Sequence, residues 1–285
     1  MKTRMAIAGA ALGILLACAV AALNERSVVR IPFRGNHGLF SNIVVPMIFS
    51  RCYPQYAIAC DGWPSDVAAL MHGLPMARGR EAKIELPREG DSCYIAQSPV
   101  VLASTSFNFT RTVLHAMVAP GGMFAPAEHV RALARSWWKS ELGDARFVVG
   151  IHGRAAMLYD KSSLDFDTHM RLLGDEAAEE MRIPGARVML ASCNASIVGY
   201  LRARFGAALA WREPEGDINT GNVDWGGATQ HVTAQIAKGA LIDALLLSMC
   251  DVVVCGSSNV ILYAAALRPA MRIRVARHLA DARSG

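Results

Sequence analysis

The stretch KGALIDALLLSMCDVVVCGSSNVILYAAALRPAMRIRV, residues 238–275, decides the fold class of this chain. An apolar helical segment at 238–249 leads into a short valine-rich strand at 251–255. A turn of small residues at 256–259, a second apolar helix at 260–267 and a strand at 271–275 follow. Strands without polar alternation are typical of a parallel sheet with helices on both faces, so this stretch predicts an α/β fold.

The same alternation continues towards the amino terminus. Strands are predicted at 146–151, 187–191 and 207–211, helices at 126–142, 167–181 and 195–205, and a polar, glycine-rich loop at 212–230. A strand at 28–33, a glycine-containing loop at 34–42, a helix at 43–50 and a strand at 56–60 have the order of a nucleotide-type α/β unit. Two weaker strands are predicted at 83–86 and 99–103. We expect two α/β halves, at residues 24–143 and 144–285.

Composition narrows the class of protein further. Of the 285 residues, 53% are hydrophobic and 19% are charged, which suits a chain with a buried core and excludes a disordered one. The net charge is only +5 and no block of Lys and Arg occurs, so nucleic acid is not an expected partner. An α/β hydrolase is also disfavoured, because the chain has no Gly-x-Ser-x-Gly motif.

The amino terminus resembles a membrane or export signal. Lys2 and Arg4 precede an uninterrupted apolar stretch at 5–23, which is close to the length that spans a bilayer. Positive charge before the stretch favours a cytoplasmic amino terminus. An uncleaved signal-anchor, a signal peptide cleaved near residues 19–21 and a lipoprotein-like signal at Cys18 all remain open. We exclude residues 1–23 from the fold prediction and expect membrane contact through residues 5–23.

Polar residues follow three of the predicted strands. The segments are His152-Gly153-Arg154, Ser192-Cys193-Asn194 and Gly256-Ser257-Ser258. Ligands of parallel α/β sheets bind beyond the carboxyl ends of the strands. The last segment starts a helix, where free backbone N–H groups and the helix dipole attract anions such as phosphate. The alternative is that Ser257 or Ser258 only caps this helix.

Taken together, these segments resemble the GDP-fucose-dependent fucosyltransferases. Residues 149–154, VGIHGR, are similar to the first motif of that family, G-x-H-x-R-R. Residues 238–260 are similar to its last motif, and 189–206 to its middle segment. The likeness covers roughly residues 146–275 and is greatest to α1,6- and nodulation fucosyltransferases. It implies a GT-B-like fold with two Rossmann-type halves and the nucleotide-sugar donor in the carboxyl-terminal half.

The resemblance also implies roles for individual residues. Arg154 would neutralise the β-phosphate of the leaving GDP, His152 would lie beside the donor, and Asp243 would bind the guanine edge. The expected donor-binding residues are His152, Arg154, Asn194, Asp243, Gly256, Ser257 and Ser258. No cofactor or metal is expected, since the resemblance implies that basic residues replace a cation. From its helical position alone, Asp243 could equally face solvent.

The function implied is inverting transfer of fucose from GDP-fucose to a hydroxyl group of a glycan or glycoprotein. Cleavage of the sugar–phosphate bond leaves negative charge on the diphosphate, which Arg154 would stabilise in the transition state. A carboxylate would act as general base, and Asp160, Asp165 and Asp167 are the candidates. Each of these aspartates could instead be a loop or helix-cap residue.

The chain departs from the family pattern at three positions. Ala155 replaces the second arginine of the first motif, and Cys193 and Asn194 replace the two acids of the middle segment. These departures motivate an alternative, a non-catalytic relative that binds a glycan or a nucleotide. With the apolar stretch at 5–23 and the family's type II arrangement, we expect a single-pass Golgi membrane protein. Secretion or a bacterial envelope is the alternative location.

Overall fold

The computed structural model describes residues 28–32, 39–40, 43–44, 46–47, 57–72, 105–153, 166–214, 233–256 and 258–276. The predicted strands at 83–86 and 99–103 and the apolar stretch at 5–23 lie outside these residues. No helix among the described residues combines the length and the apolar character needed to cross a bilayer.

A five-stranded parallel sheet organises the carboxyl-terminal part of the chain. Its strands lie in the order β5-β4-β3-β6-β7, and every neighbouring pair is parallel. Their bounds are β3 Phe147–His152, β4 Ala186–Ala191, β5 Leu209–Trp211, β6 Val252–Cys255 and β7 Arg272–Val275. All four residues of β6 are buried, as its valine-rich sequence predicts for a strand covered on both faces. The predicted α/β class with parallel sheets is confirmed.

A second, smaller parallel pair lies in the amino-terminal part. Strand β1, Val28–Pro32, pairs with β2, Ala57–Asp61, in a register that runs from Val28 opposite Ala57 to Pro32 opposite Asp61. The described residues between them at 39–40, 43–44 and 46–47 are helical and buried. Strand, helix and strand therefore follow one another here, as expected from residues 28–60.

Seven helices are described besides these short segments. They are α1 Ser65–Ala68, α2 Thr105–Val118, α3 Glu128–Leu142, α4 Phe166–Glu180, α5 Ala195–Phe205, α6 Ala234–Met249 and α7 Asn259–Leu267. A 3₁₀ turn, Gly206–Ala208, joins α5 to β5. Helix α2 was not predicted, whereas α5 has the predicted bounds. Helices α6 and α7 are apolar on most sides, and at least half of the residues in each are buried.

The hydrophobic core is continuous from the amino-terminal helices to the large sheet. One cluster of buried side chains extends from Phe40 through Phe124 to Tyr263 and Met271. The rings of Phe40 and Tyr263 lie 5.1 Å apart between centroids. The predicted domain division at residue 143 stays a prediction, but α2 and α3, which precede it, share this core with α6 and α7.

Three polar side chains reinforce that packing. The Arg111 guanidinium of α2 donates to the carbonyl oxygens of Met271 at 2.6 Å and Pro269 at 3.3 Å. His115 Nδ1 lies 2.8 Å from the carbonyl oxygen of Ala266, at the end of α7. Tyr263 donates its hydroxyl to the carbonyl oxygen of Phe124 at 2.6 Å. Residues from the amino-terminal part of the chain thus contact α7 at Tyr263 and Ala266 and the turn that follows the helix.

Candidate functional site

The carboxyl ends of β3, β4 and β6 meet in register at one edge of the large sheet. His152, the last residue of β3, pairs with Ala191 of β4 on one side and with Cys255 of β6 on the other. The residues that follow each strand therefore emerge side by side. The strand ends thus converge as the parallel sheet predicts, and we call this edge the donor edge, after the role that the sequence resemblance predicts for it.

Glycines allow helices to approach the central strand closely. A Cβ added to Gly150 in the middle of β3 would lie 2.9 Å from Cys250 Sγ and 3.1 Å from Leu247 Cδ2. A Cβ added to Gly153 would lie 2.7 Å from Ile197 Cγ2 of α5. Real Cβ atoms do not make such short contacts, so side chains at these positions would push α5 and α6 away from the sheet. Both glycines belong to or adjoin the first motif, and their small size serves packing.

His152 is buried at the donor edge, with 8% of its surface exposed. The residue after it, Gly153, donates its N–H to the carbonyl oxygen of Ala191 at 3.0 Å and so extends the pairing with β4. Arg154, Asp160 and Asp165 lie outside the described residues. Asp167 is exposed in the first turn of α4, where a carboxylate is favoured by the helix dipole.

Asn194 serves as the amino-terminal cap of α5. Its Oδ1 accepts a hydrogen bond from the backbone N–H of Ile197 at 3.0 Å, and its own N–H donates to Ser192 Oγ at 3.2 Å. The neighbouring Cys193 is exposed. Asn194 thus lies at the donor edge as expected, and the contact that the structure assigns to its side chain is within the protein.

Ser258 has the corresponding place at the start of α7. Its Oγ accepts from the backbone N–H of Val260 at 3.2 Å, and only 2% of the residue is exposed. Gly256 precedes it at the end of β6, and Ser257 lies outside the described residues. The cap role that the sequence left open for Ser258 is therefore present. Because the cap orders the first turn of α7, it also presents that turn's backbone N–H groups at the donor edge.

Asp243 lies on α6 and is paired with an arginine that the sequence did not single out. Arg212 follows β5 on the donor edge, since Trp211 pairs with Leu190, one residue before the end of β4. Arg212 Nη2 lies 2.9 Å and Nε 3.2 Å from Asp243 Oδ1. Its Nη2 also donates to the carbonyl oxygen of Gly239 at 2.8 Å. Asp243 is therefore a half-buried partner in an ion pair rather than a residue that simply faces solvent.

Asp251, from the last motif, and Arg268 stabilise the opposite, amino-terminal edge of the sheet. Asp251 Oδ2 accepts from the backbone N–H of Val148 at 2.8 Å. Arg268 Nη1 donates to the carbonyl oxygens of Cys250 at 2.9 Å and Met249 at 3.2 Å. A cation at the carboxyl end of α6 satisfies backbone acceptors and interacts favourably with the helix dipole. These residues act in folding, and their partners are too distant in sequence to be inferred from it.

The described residues contain no group of three or more His, Cys, Asp or Glu side chains arranged to bind a metal ion. Burial raises the pKa of the Cys255 thiol at the end of β6 to about 12, so this thiol is neutral at physiological pH. Neutral, buried Cys255 is a packing residue of the donor edge.

Comparisons with known proteins identify the fold. No protein-family model and no curated protein sequence matches the chain. A variant of Arabidopsis thaliana FUT1, solved in complex with GDP, superposes with a TM-score of 0.53 at 13% identity, over 88% of this chain and 70% of FUT1. The fucosyltransferase NodZ from Bradyrhizobium matches with a TM-score of 0.45 at 14% identity, over 84% of this chain and 92% of NodZ. POFUT1 in complex with GDP-fucose gives 0.43 at 11% identity, over 89% and 74%.

The match to FUT1 shows that the chain shares the α/β fold of FUT1. The fold expected from the motifs is thereby confirmed. The division into two Rossmann-type halves, and the roles of the individual site residues, stay predictions.

Proposed function

We propose that this protein is a glycosyltransferase that transfers fucose from GDP-fucose to a hydroxyl group of a glycan or glycoprotein. One observation carries the proposal: His152, Ala191 and Cys255 end their strands in register, in a chain that shares its fold with GDP-bound FUT1. Strand ends in this arrangement form the ligand-binding edge of parallel α/β sheets. The proposed donor is a GDP-sugar, and the proposed acceptor is a separate molecule.

The diphosphate of the donor would bind where α7 begins. The backbone N–H groups that follow Gly256, ordered by the Ser258 cap, provide donors and the positive end of the helix dipole. Ser257 and the guanidinium of Arg154 would complete this anion site. We assign the Ser258 hydroxyl chiefly to the cap, since it already accepts the N–H of Val260.

The reaction would be an inverting displacement without a metal. The acceptor oxygen forms a bond to the anomeric carbon of fucose while the bond from that carbon to the phosphate oxygen breaks, and GDP leaves with the bonding electron pair. Arg154 and the start of α7 would stabilise the charge that develops on the diphosphate. A carboxylate, with Asp160 and Asp165 as our candidates, would accept the proton of the attacking hydroxyl.

The base of the donor would be bound by Asp243, with His152 and Asn194 beside the donor. The contact of Asp243 with Arg212, which follows β5 at the donor edge, supports this assignment. A carboxylate matches the two adjacent N–H donors of the guanine edge.

A non-catalytic nucleotide-binding protein of the same fold is the second candidate. It is favoured by the cap role of Asn194, whose side chain is directed to the N–H of Ile197, and by Ala155 in place of an arginine. Location is also a proposal: we propose attachment to the Golgi membrane through residues 5–23, which rests on the sequence alone.

Ligand binding and turnover by the purified full-length chain test the proposal. We expect GDP and GDP-fucose to raise the thermal unfolding temperature, whereas UDP and CMP do not. A ligand at a hundredfold excess over its Kd stabilises the native state by about 2.7 kcal/mol. Arg154→Ala should abolish this shift, and Arg135→Ala, which removes an exposed pair with Glu128 on α3, should retain it.

Release of free fucose or its transfer to an acceptor would distinguish the enzyme from the non-catalytic alternative. GDP binding without any turnover would favour the second candidate. A chain that is stabilised by UDP or CMP and not by GDP would contradict the proposed transfer from GDP-fucose.

A further inference from the structure

The contact between Arg212 and Asp243 joins the end of β5 to the third turn of α6. Two nitrogens of the guanidinium, Nε and Nη2, converge on the same carboxylate oxygen, Oδ1. The side chain of Arg212 is 10% exposed and that of Asp243 is 27% exposed. One partner is thus almost completely enclosed, while the other can still be reached from outside.

The guanidinium is fixed from more than one side. Its Nη2 donates to the carbonyl oxygen of Gly239, one turn before Asp243 on α6, and Nη1 lies 3.4 Å from the carbonyl oxygen of Glu213. A Cβ at position 239 would lie 3.3 Å from Nη2, so the glycine gives the planar fork room to lie against the helix. A guanidinium group that donates to several acceptors keeps a fixed plane. It therefore holds the carboxylate that it contacts in a fixed orientation.

Orientation matters for a carboxylate that binds a nucleobase. Guanine presents two adjacent N–H donors, whereas adenine and uracil do not present such a pair on that edge. A carboxylate favours guanine only if its plane is held to face both donors, since a rotating carboxylate forms the bonds at an entropic cost. Sites that must hydrogen-bond a particular group discriminate strongly against ligands that lack it.

We infer that Arg212 is a positioning residue that holds Asp243 in the orientation required to bind the two-donor edge of guanine, and thereby sets the base preference of the donor site. This inference rests on the proposed function, because it takes the ligand to be a guanine nucleotide. It assigns a role in specificity to a residue that need not touch the nucleotide.

The test compares nucleotide affinities of full-length variants by calorimetry. GDP has both N–H donors at this edge of the base. IDP lacks the exocyclic amino group and so keeps one of them, and ADP does not present two adjacent N–H donors. We expect the wild-type chain to prefer GDP to ADP, and Arg212→Met to reduce that preference at least tenfold by weakening GDP binding while ADP affinity changes less than twofold. Arg212→Lys should restore part of the preference, because a lysine supplies the charge without the fork.

Arg187→Met is a matched control. Arg187 on β4 donates to the carbonyl oxygen of Ala208 and pairs with Asp144 at the other edge of the same sheet. We expect it to leave the ratio of GDP to ADP affinity unchanged. If Arg212 had a purely structural role, Arg212→Met would lower the stability or weaken the binding of GDP and ADP in parallel. It would not alter the ratio of the two affinities.

The outcomes separate this inference from the proposed function. A wild-type chain that does not bind GDP contradicts the proposed function itself. If GDP binds and Asp243→Asn loses the base preference while Arg212→Met retains it, the proposed function stands and the inference is wrong. The inference is equally wrong if Asp243→Asn keeps the preference, or if Arg212→Met binds GDP more tightly, which would mean that the guanidinium competes with the base. Should Arg212→Met fail to fold, the same ratio measured on Arg212→Lys decides.

Discussion

Val148 and Asp251 are joined by two hydrogen bonds at the amino-terminal edge of the large sheet. The N–H of Val148 donates to Asp251 Oδ2 at 2.8 Å, and the N–H of Asp251 donates to the carbonyl oxygen of Val148 at 2.9 Å. The bond donated by Asp251 continues the parallel pairing of β3 with β6. The bond donated by Val148 pairs a backbone N–H near the start of β3 with the side chain of Asp251. Asp251 thus serves folding, whereas Ser258, seven residues later, lies at the start of α7 and belongs to the proposed donor site.

Asp251→Ala should therefore reduce stability and leave nucleotide binding intact. Loss of a charged acceptor for a half-buried N–H costs about 1–3 kcal/mol. Urea unfolding measures this loss, and Asp251→Asn, which keeps an acceptor oxygen, should lose less. A weaker GDP affinity in a folded Asp251→Ala variant would contradict the separation of the two ends.

Gly150→Ala should destabilise the protein by about 1–3 kcal/mol, the usual cost of overpacking a core. The added methyl group would meet Cys250 Sγ at 2.9 Å. Removing that sulfur in the double variant Gly150→Ala, Cys250→Ala should recover part of the loss. Gly199→Ala on the exposed face of α5 is the control, because nothing lies within 4 Å of the added Cβ. There alanine should stabilise the helix by up to about 1 kcal/mol, and equal losses at both glycines would refute the packing explanation.

Tyr263→Phe should cost about 1–2 kcal/mol in the free energy of unfolding, since it leaves the buried carbonyl oxygen of Phe124 without the hydroxyl it accepts at 2.6 Å. Tyr200→Phe, at a residue that is 37% exposed, should change the same quantity by less than about 0.5 kcal/mol. Chemical denaturation of both variants gives the comparison. Similar small effects at the two positions would show that the contact with Phe124 contributes little to holding α7.

Stability should fall as the pH rises from about 8 to 10. Burial raises the pKa of Cys255 to about 12, and burial together with the charge of Asp61 raises that of Cys60 to about 12. Unfolded thiols ionise near pH 8.5, so the unfolded chain loses protons that the folded chain keeps. The contribution of the buried, protonated thiols to the free energy of unfolding is fully present below the pKa of the unfolded thiols, and it is lost as the pH approaches 12.

Each raised thiol pKa should contribute a slope of about 1.4 kcal/mol per pH unit above pH 9. Urea unfolding between pH 7.5 and 10 measures the slope, and Cys255→Ala should reduce it. Cys193→Ser should leave the slope unchanged, because Cys193 is exposed. A slope that does not respond to Cys255→Ala would show that other groups govern the alkaline transition.

Much of the large sheet could be predicted from local sequence. Strand β6 is a short apolar run between a helix and a turn of small residues, and α5 lies between Asn194, a good helix cap, and Gly206, which adopts φ +53°. Each signal is contained in a few neighbouring residues. The fold class follows from their order, and the helix and strand bounds shift by only a few residues.

Helix α2 was missed because its buried stripe contains a charge. Among the residues of α2 whose burial the structure describes, Arg111, Leu114 and Val118 are buried and are spaced as one face of a helix. An arginine in that stripe conceals the apolar periodicity. Arg111 is tolerated there because carbonyl oxygens of Pro269 and Met271, more than 150 residues later, accept its N–H groups. A sequence pattern cannot show a partner that only the tertiary fold brings near.

Some features of the candidate site could likewise be predicted from local sequence, and others could not. His152, Asn194 and Ser258 could be placed at one edge because a parallel sheet aligns the ends of its strands. The cap roles of Asn194 and Ser258 follow from the residue types at helix starts. The Arg212–Asp243 pair spans 31 positions in the chain, and its existence depends on how α6 lies against β5, which the sequence does not state.

The contacts of Phe40, Arg111 and Phe124 with the region around α7 affect which part of the chain can fold when it is expressed alone. Deleting everything before residue 144 would uncover the apolar faces of α6 and α7 and strip Tyr263 of its acceptor. Such a shortened polypeptide should precipitate or bind chaperones instead of surviving as an isolated nucleotide-binding lobe. A recombinant protein made to measure nucleotide binding should therefore begin upstream of β1.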